Sequence, residues 1–280
     1  MKGLVVVPAC NEAVSLEHFL PRLQGEITRS CLSNGLVVDI VVVDDGSNDH
    51  TSKVVQQRNC RLIRNVTNQG VGYSVRRGYQ MAIENNYDFV VTMDSDGQHD
   101  VRLLPTVIKH IQGGADVVTA SRYHPDSPRF SPPLDRDLLN IAVTSMMHAV
   151  TGWKHITDPL TGFWGVRKEV VNFLADCVKN ERYGIWVESY IKLWYLMSPQ
   201  PKMVEVPHPA IYSNAAGGFL NRLYSPANLE DRLDRFGTHA LHIIRALQDV
   251  VAAGQDEAKI YEHIGGWRQH INERVINGMK

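Results

Sequence analysis

The stretch VVTMDSDGQHD, residues 90–100, decides how the chain is read. Val90, Val91, Thr92 and Met93 form an apolar, β-branched run of the kind found in buried strands. Three aspartates, a glycine, a glutamine and a histidine lie in the seven residues after it. Asp94 and Asp96, at i and i+2 leaving a strand, point to the same side. Two carboxylates held together repel and raise each other's pKa. A hard divalent cation resolves that conflict. Mg2+ is commonly held by one or two carboxylates while substrate phosphates and water complete its shell, so the Asp-x-Asp predicts Mg2+ or Mn2+ shared with a diphosphate. Gln98 adds a neutral oxygen, and His99 serves instead where Mn2+ is the ion. The plain alternative is a solvated acidic turn, and the neighbouring stretches weigh against it.

A Val/Ile-rich run ending in polar residues recurs on both sides. GLVVVP (3–8), VDIVVVDD (38–45), CRLIRN (60–65) and DVVTASR (116–122) read as buried strands beside 88–94. Helical patterns lie between them near 15–29, 49–58, 72–86 and 101–112. Strands alternating with helices predict an α/β fold, a doubly wound and mostly parallel sheet with helices on both faces. Its ligand crevice lies outside the strand C-terminal ends. The polar clusters fall at those ends: Asn11 and Glu12, Asp44 and Asp45, Asn68, Asp94 to Asp100, and Arg122. After Asp44 and Asp45, Ser47 or Asn48 is expected to cap the next helix.

From Tyr123 the pattern changes. YHPDSPRFSPP (123–133) holds four prolines and reads as a loop that acts as a flap. A helix is expected over about 136–150, then the segment DPLTGFWGVRKEV, an aromatic-rich helix around IWVESYIKLWYLM, and a strand KMVEVP. The last fifty or so residues read as amphipathic helices. These boundaries divide the chain into a donor-binding half (1–122), an acceptor-binding and catalytic half of the same domain (123–224), and a helical C-terminal extension (225–280). The extension is expected to serve acceptor binding, membrane docking or self-association into a homo-oligomer.

Composition excludes several classes. With 29 Lys+Arg against 30 Asp+Glu, the net charge of -1 gives no basic field for nucleic acid. The four cysteines, Cys10, Cys31, Cys60 and Cys177, lack any CxxC spacing, which fits a reducing cytoplasm better than zinc or disulfides. The most apolar later segment, LNIAVTSMMHAV, is shorter than the ~18–20 residues a bilayer demands. A soluble cytoplasmic protein is expected, with peripheral membrane contact left open. NQGVGYSVRRG (68–78) looks like a phosphate loop, but Val75 stands where a dinucleotide fingerprint has glycine. An NAD site is therefore not expected.

In order, PACNEA, VVDDGSNDHT, NQGVGYSVRRG, MDSDGQHD, ASRY and DPLTGFWGV resemble the family 2 glycosyltransferases of the GT-A fold, and among them the dolichol- and polyprenol-phosphate mannose synthases. The resemblance covers about residues 3–210. It implies a nucleotide-diphosphate sugar donor, with Pro8, Cys10, Glu12 and Asp45 facing the nucleoside. It places Asp94, Ser95 and Asp96 at the metal and diphosphate, Gln98 beside them, and Arg122 on the donor phosphates. Cys10 departs from the family's PAYNE, and TGFW stands where SGFR is usual. The downstream Arg and Lys of the lipid-phosphate synthases have no clear counterparts in YSNAAGGFLNR (212–222).

A hydroxyl acceptor needs a general base. Glu188 in GIWVESY is the first candidate, at the place where related inverting enzymes put an acidic residue, and Asp158 in DPLTG is the second. Trp164 offers an aromatic platform beside the acceptor. The sequence reading is thus a metal-dependent, inverting glycosyltransferase acting on a sugar or other hydroxyl. The alternatives are a polyprenyl-phosphate mannosyltransferase using GDP-mannose, a nucleotidyltransferase, and a catalytically silent nucleotide-binding protein of the same fold.

Overall fold

Residues 4–7 of the first strand, Leu-Val-Val-Val, are all fully buried, so both faces of this strand lie against apolar layers. Successive side chains alternate between faces. Leu4 and Val6 join one hydrophobic cluster, while Val5 and Val7 join the other. The chain is described here by a computed structural model covering residues 1–30, 35–128, 134–209 and 229–278.

In chain order the elements are β1 (Lys2–Ala9), α1 (Ala13–Ser30), β2 (Val37–Asp44), α2 (Thr51–Gln57), β3 (Arg61–Arg64), α3 (Val71–Glu84), β4 (Phe89–Thr92), α4 (Leu104–Gln112), β5 (Val117–Ser121) and α5 (Leu134–Val150). They continue with β6 (Trp164–Arg167), α6 (Lys168–Cys177), α7 (Ile185–Leu196), β7 (Met203–Pro207), α8 (Leu229–Ala252) and α9 (Glu257–Gly278). The strands form one seven-stranded sheet in the order β3-β2-β1-β4-β6-β5-β7. All neighbours run parallel except β6, which is antiparallel to β4 and β5. Helices α1 and α4 cover one face, through Leu16, Leu20, Val107 and Ile111. Helices α3, α5, α6 and α7 cover the other, through Val75, Val143, Val171 and Ile191. The α/β doubly wound sheet expected from the alternation is present.

Strand β6 and helix α6 were not foreseen within 158–170. The reversal of β6 matters for the site. Thr92 pairs with Trp164, so the chain entering β6 arrives at the edge where β4 ends and the acidic turn begins. The C-terminal helices share the main core: Ile243, Ala246 and Val250 of α8 and Ile260 of α9 belong to the same buried cluster as α7. Among the described residues no helix is long and apolar enough to cross a membrane. The segment YSNAAGGFLNR and the last five residues of the expected flap, 129–133, lie outside the described residues.

Candidate active site

The crevice opens where β1 and β4 part, the point at which the strand order changes direction. The turns after β1 and β2 are sewn together there. Asn11 N–H donates to Ser47 Oγ (2.9 Å), Asn48 N–H to Asn11 Oδ1 (2.9 Å), Glu12 N–H to Thr51 Oγ1 (2.9 Å) and Ala13 N–H to Asp49 Oδ2 (3.1 Å). Asp49 accepts from Thr51 N–H at 2.9 Å. The first-turn amide of α2 is thus served by Asp49 and not by Ser47 or Asn48, because the Ser47 hydroxyl is turned to Asn11. Pro8 lies at the end of β1, and Ser95 Oγ donates to its carbonyl at 3.2 Å. Cys10 is half-buried and its sulfur accepts from Asn68 Nδ2 at 3.2 Å.

Asp45 is buried and takes hydrogen bonds from Asn65 Nδ2 (2.7 Å), Gln69 N–H (2.9 Å) and Gly70 N–H (2.7 Å). Its carboxylate is therefore the anchor of the glycine loop before α3.

Asp94, Asp96 and Glu12 share one acidic field. Asp94 keeps 40 % of its side chain exposed to the crevice, yet surrounding protein pushes its pKa up to about 6 against the pull of Arg122. Asp96 is raised by burial and then by Asp94, with His99, the Gln98 amide and Arg136 opposing. Glu12 is raised by burial, with the negative charges of Asp96, Asp49 and Asp94 adding to it. Gln98 N–H donates to Asp96 Oδ1 at 2.9 Å, which shapes the turn. His99 is buried and accepts from Asp94 N–H through Nδ1 at 2.9 Å. Burial lowers its pKa to about 4, so at neutral pH the ring is uncharged and its proton sits on Nε2, which faces Asp94 Oδ2 at 3.5 Å. Carboxylates whose charge the protein disfavours suit a divalent cation. Among the described residues no three His, Cys, Asp or Glu side chains converge as a complete cage. The residues fit an ion whose shell is completed by donor oxygens and water.

The loop before β6 forms the wall of this site. A Cβ on Gly162 would lie 2.9 Å from Asp94 Oδ2, so only glycine lets the chain pass the carboxylate this closely. Asp158, fully buried, clamps Arg122: Nε donates to Oδ2 at 2.7 Å, Nη2 to Oδ1 at 2.9 Å, and the Arg122 amide to Oδ2 at 3.1 Å. Glu205 of β7 in turn accepts from Thr157 N–H (2.9 Å), Thr157 Oγ1 (2.7 Å) and Asp158 N–H (3.3 Å).

Three sequence expectations are corrected. Asp158 is no general base, because its carboxylate is buried and bidentate on Arg122. Trp164 is no acceptor platform. It is fully buried in β6, donates Nε1–H to Thr161 O (3.0 Å), and packs on Trp186 and Tyr190. Glu188 is buried in α7, where it accepts from Lys179 N–H (3.0 Å), Asn180 N–H (2.8 Å) and Lys192 Nζ (2.5 Å). Its carboxylate is thus committed to three donors of the protein itself. The sequence held the clue, since Lys192 stands at i+4 and the flanking residues are apolar all round.

Sequence reasoning also missed Arg136 and His208. Arg136 lies in the first turn of α5, where a cation opposes the helix dipole, and its charge acts on Asp96. A basic residue at a helix N-terminus was the available signal. His208 follows β7 and accepts from Asp100 N–H at 3.1 Å, with its ring edge-on to His99.

Comparison with known proteins fits this arrangement. The sequence model of Glycosyl transferase family 2 matches residues 4–174. The chain is 32 % identical over 212 residues to a dolichol-phosphate mannosyltransferase of Pyrococcus furiosus, covering 74 % of this chain and 56 % of that one. It thus spans little more than half of that relative's length. It is 27 % identical over 213 residues to an undecaprenyl-phosphate mannosyltransferase of Micrococcus luteus, covering 74 % of this chain and 82 % of the relative. Among solved structures it resembles glucosyl-3-phosphoglycerate synthase from Mycobacterium tuberculosis in complex with Mn2+, UDP and phosphoglyceric acid. The TM-score is 0.60 at 18 % identity, covering 91 % of this chain and 80 % of that one. At that identity the likeness speaks for the fold alone.

Proposed function

We propose, from the premise that this chain belongs to glycosyl transferase family 2 and is a glycosyltransferase, that it moves a sugar from a nucleotide-diphosphate donor to a polyprenyl phosphate, with inversion. The observation that carries this reading is Arg122, held after β5 by three hydrogen bonds to the buried Asp158 and joined by Arg136 in the charge around the acidic turn. Arg122 acts on Asp94, and Arg136 acts on Asp96. The two side chains that favoured a hydroxyl acceptor, Glu188 and Trp164, are committed to the core. The two relatives described above, both named for transfer to a lipid phosphate, support the same acceptor class.

A phosphate monoester is already ionised near neutral pH, as the second phosphate pKa near 6 implies. Its oxygen attacks the anomeric carbon while the bond to the nucleoside diphosphate breaks, and no proton has to be removed. What the reaction needs is relief of repulsion between two phosphates. Arg122, aimed by Asp158, and Arg136, whose charge acts on Asp96, supply positive charge for that purpose. Asp94 and Asp96 would hold a divalent cation, Mn2+ or Mg2+, which would supply Lewis-acid stabilisation to the departing diphosphate. Pro8, Cys10 and Glu12 line the nucleoside side of the crevice, and Asp45 acts there by holding residues 69–70. Gln98 and Ser95 shape the turn that presents the two aspartates.

The test is to incubate the protein and Mn2+ with undecaprenyl phosphate or undecaprenol and a panel of nucleotide sugars led by GDP-mannose. Products are read by mass spectrometry. A sugar–phosphate–polyprenol product with undecaprenyl phosphate alone is expected. Transfer to undecaprenol refutes the acceptor assignment.

A further inference from the structure

Lys192, buried in α7, uses all three of its ammonium hydrogens. They go to Cys177 O (2.7 Å), Glu188 Oε1 (2.5 Å) and Asp249 Oδ2 of α8 (2.9 Å). Burial alone would lower the pKa of this amine, but the two carboxylates raise it above the ordinary lysine value, so the charge is retained. Glu188 then spends its remaining capacity on the Lys179 and Asn180 amides. These open the loop 178–184, and this loop is built against the glycine loop. Glu181 O accepts from Tyr73 N–H at 3.1 Å, and Arg182 Nη1 donates to Asn68 Oδ1 at 3.4 Å. A Cβ on Gly70 would meet Glu181 O at 2.2 Å, and one on Gly72 would meet Asn180 O at 2.3 Å. The two glycines are what lets the loops touch backbone to backbone. Helix α8 reaches the far end of the same loop through His242, whose ring lies against Gly184.

The glycine loop is thus held from two sides. Asp45 fixes Gln69 and Gly70 from the end of β2, and residues 180–182, in the loop before α7, hold Asn68 and Tyr73. Asn68 in turn contacts Cys10, at the nucleoside end of the crevice. We propose that Asp249, Lys192 and Glu188 form a positioning relay through which the C-terminal helix α8 holds the 178–184 loop, and with it the Asn68–Tyr73 loop, in the shape that receives the donor. The inference rests on the donor-side reading of that glycine loop. It gives α8 a donor-side task beside those expected of the C-terminal extension from sequence, which were acceptor binding, membrane docking or self-association. Glu188 becomes a positioning residue, acting through backbone amides and touching no substrate.

The test uses the whole chain with Asp249→Ala, and Asp249→Glu as the conservative rescue. Asp249 is half-exposed, so the alanine variant is expected to fold. Hydrogen–deuterium exchange without ligand should quicken several-fold in peptides across 178–184 and 68–74, stay unchanged across 94–100, and recover in Asp249→Glu. Titration with Mn2+ and GDP or UDP, whichever the wild type binds, should show a three- to tenfold weaker dissociation constant that the glutamate restores. Faster exchange confined to α7 and α8, or unchanged nucleotide affinity with both loops loosened, overturns the relay. If the loops loosen but neither nucleotide binds even the wild type, the relay between loops stands and the donor reading of the crevice falls.

Discussion

Two groups of carboxylates in this molecule differ in their physics. Asp94 and Asp96 stand at the floor of the crevice with their pKa values raised, so the fold pays to keep them ionised. Glu188 and Asp249 stand on either side of Lys192, which satisfies both. The first cluster has its charge left over for something that arrives, while the second closes on itself. A carboxylate marks a site when the protein leaves its charge poorly compensated, and marks architecture when a lysine and backbone amides already complete it.

The largest effect expected from this contrast is at Asp96. Asp96→Ala should lower metal-dependent transfer by at least ~10³-fold, the several kcal/mol that a cation at a leaving group supplies, with an unchanged melting temperature. Steady-state assays beside thermal melts check it, and near wild-type turnover would erase the distinction between the clusters. Lys192→Met should do the reverse. Leaving Glu188 charged and buried costs about 3–5 kcal/mol, read as a melting temperature lower by roughly 10 °C or more.

Acid should separate the clusters as well. The Asp94 carboxyl, near 6 when folded against an ordinary 3.8, holds more proton in the folded than in the unfolded chain between those values. Metal-free stability attributable to Asp94 therefore falls as pH rises through that window, while cation affinity rises. Calorimetric titration should show Mn2+ affinity dropping by about tenfold per unit below pH 6, as each ion displaces one proton. The smallest functional effect is expected at Trp164. Trp164→Phe removes a buried hydrogen bond and some packing, costing about 1–3 kcal/mol of stability, yet should move the donor KM by less than about twofold.

The parallel sheet was legible because each central strand is a short β-branched run closed by polar residues, a pattern that depends only on burial from both faces. That the acidic turn, Glu12 and Arg122 come near one another was legible because strand ends in such a sheet converge; their roles toward a donor belong to the proposal. Strand β6 was not, since four residues, Trp-Gly-Val-Arg, carry no periodicity of their own and take strand form only between β4 and β5. Asp158 and Glu188 were misjudged for a related reason. A lone carboxylate shows its type in sequence, but the Arg122 that pairs with Asp158 and the Asp249 that completes Lys192 are chosen by packing between distant segments, whereas Lys192, four residues after Glu188, was in view and passed over. Glu205, which holds the Asp158 loop from β7, carried no local signal at all.

The central claim, that Glu188 belongs to the architecture while chemistry resides at the acidic turn, is tested most directly by the pH–rate profile of Glu188→Gln in the undecaprenyl phosphate assay. A folded enzyme that keeps at least about a tenth of wild-type kcat is expected, with the acidic limb of its profile unmoved, because no proton passes through residue 188. A folded variant that has lost turnover by ~10³-fold or more, or one whose acidic limb has vanished, would return Glu188 to the role of general base and contradict the account.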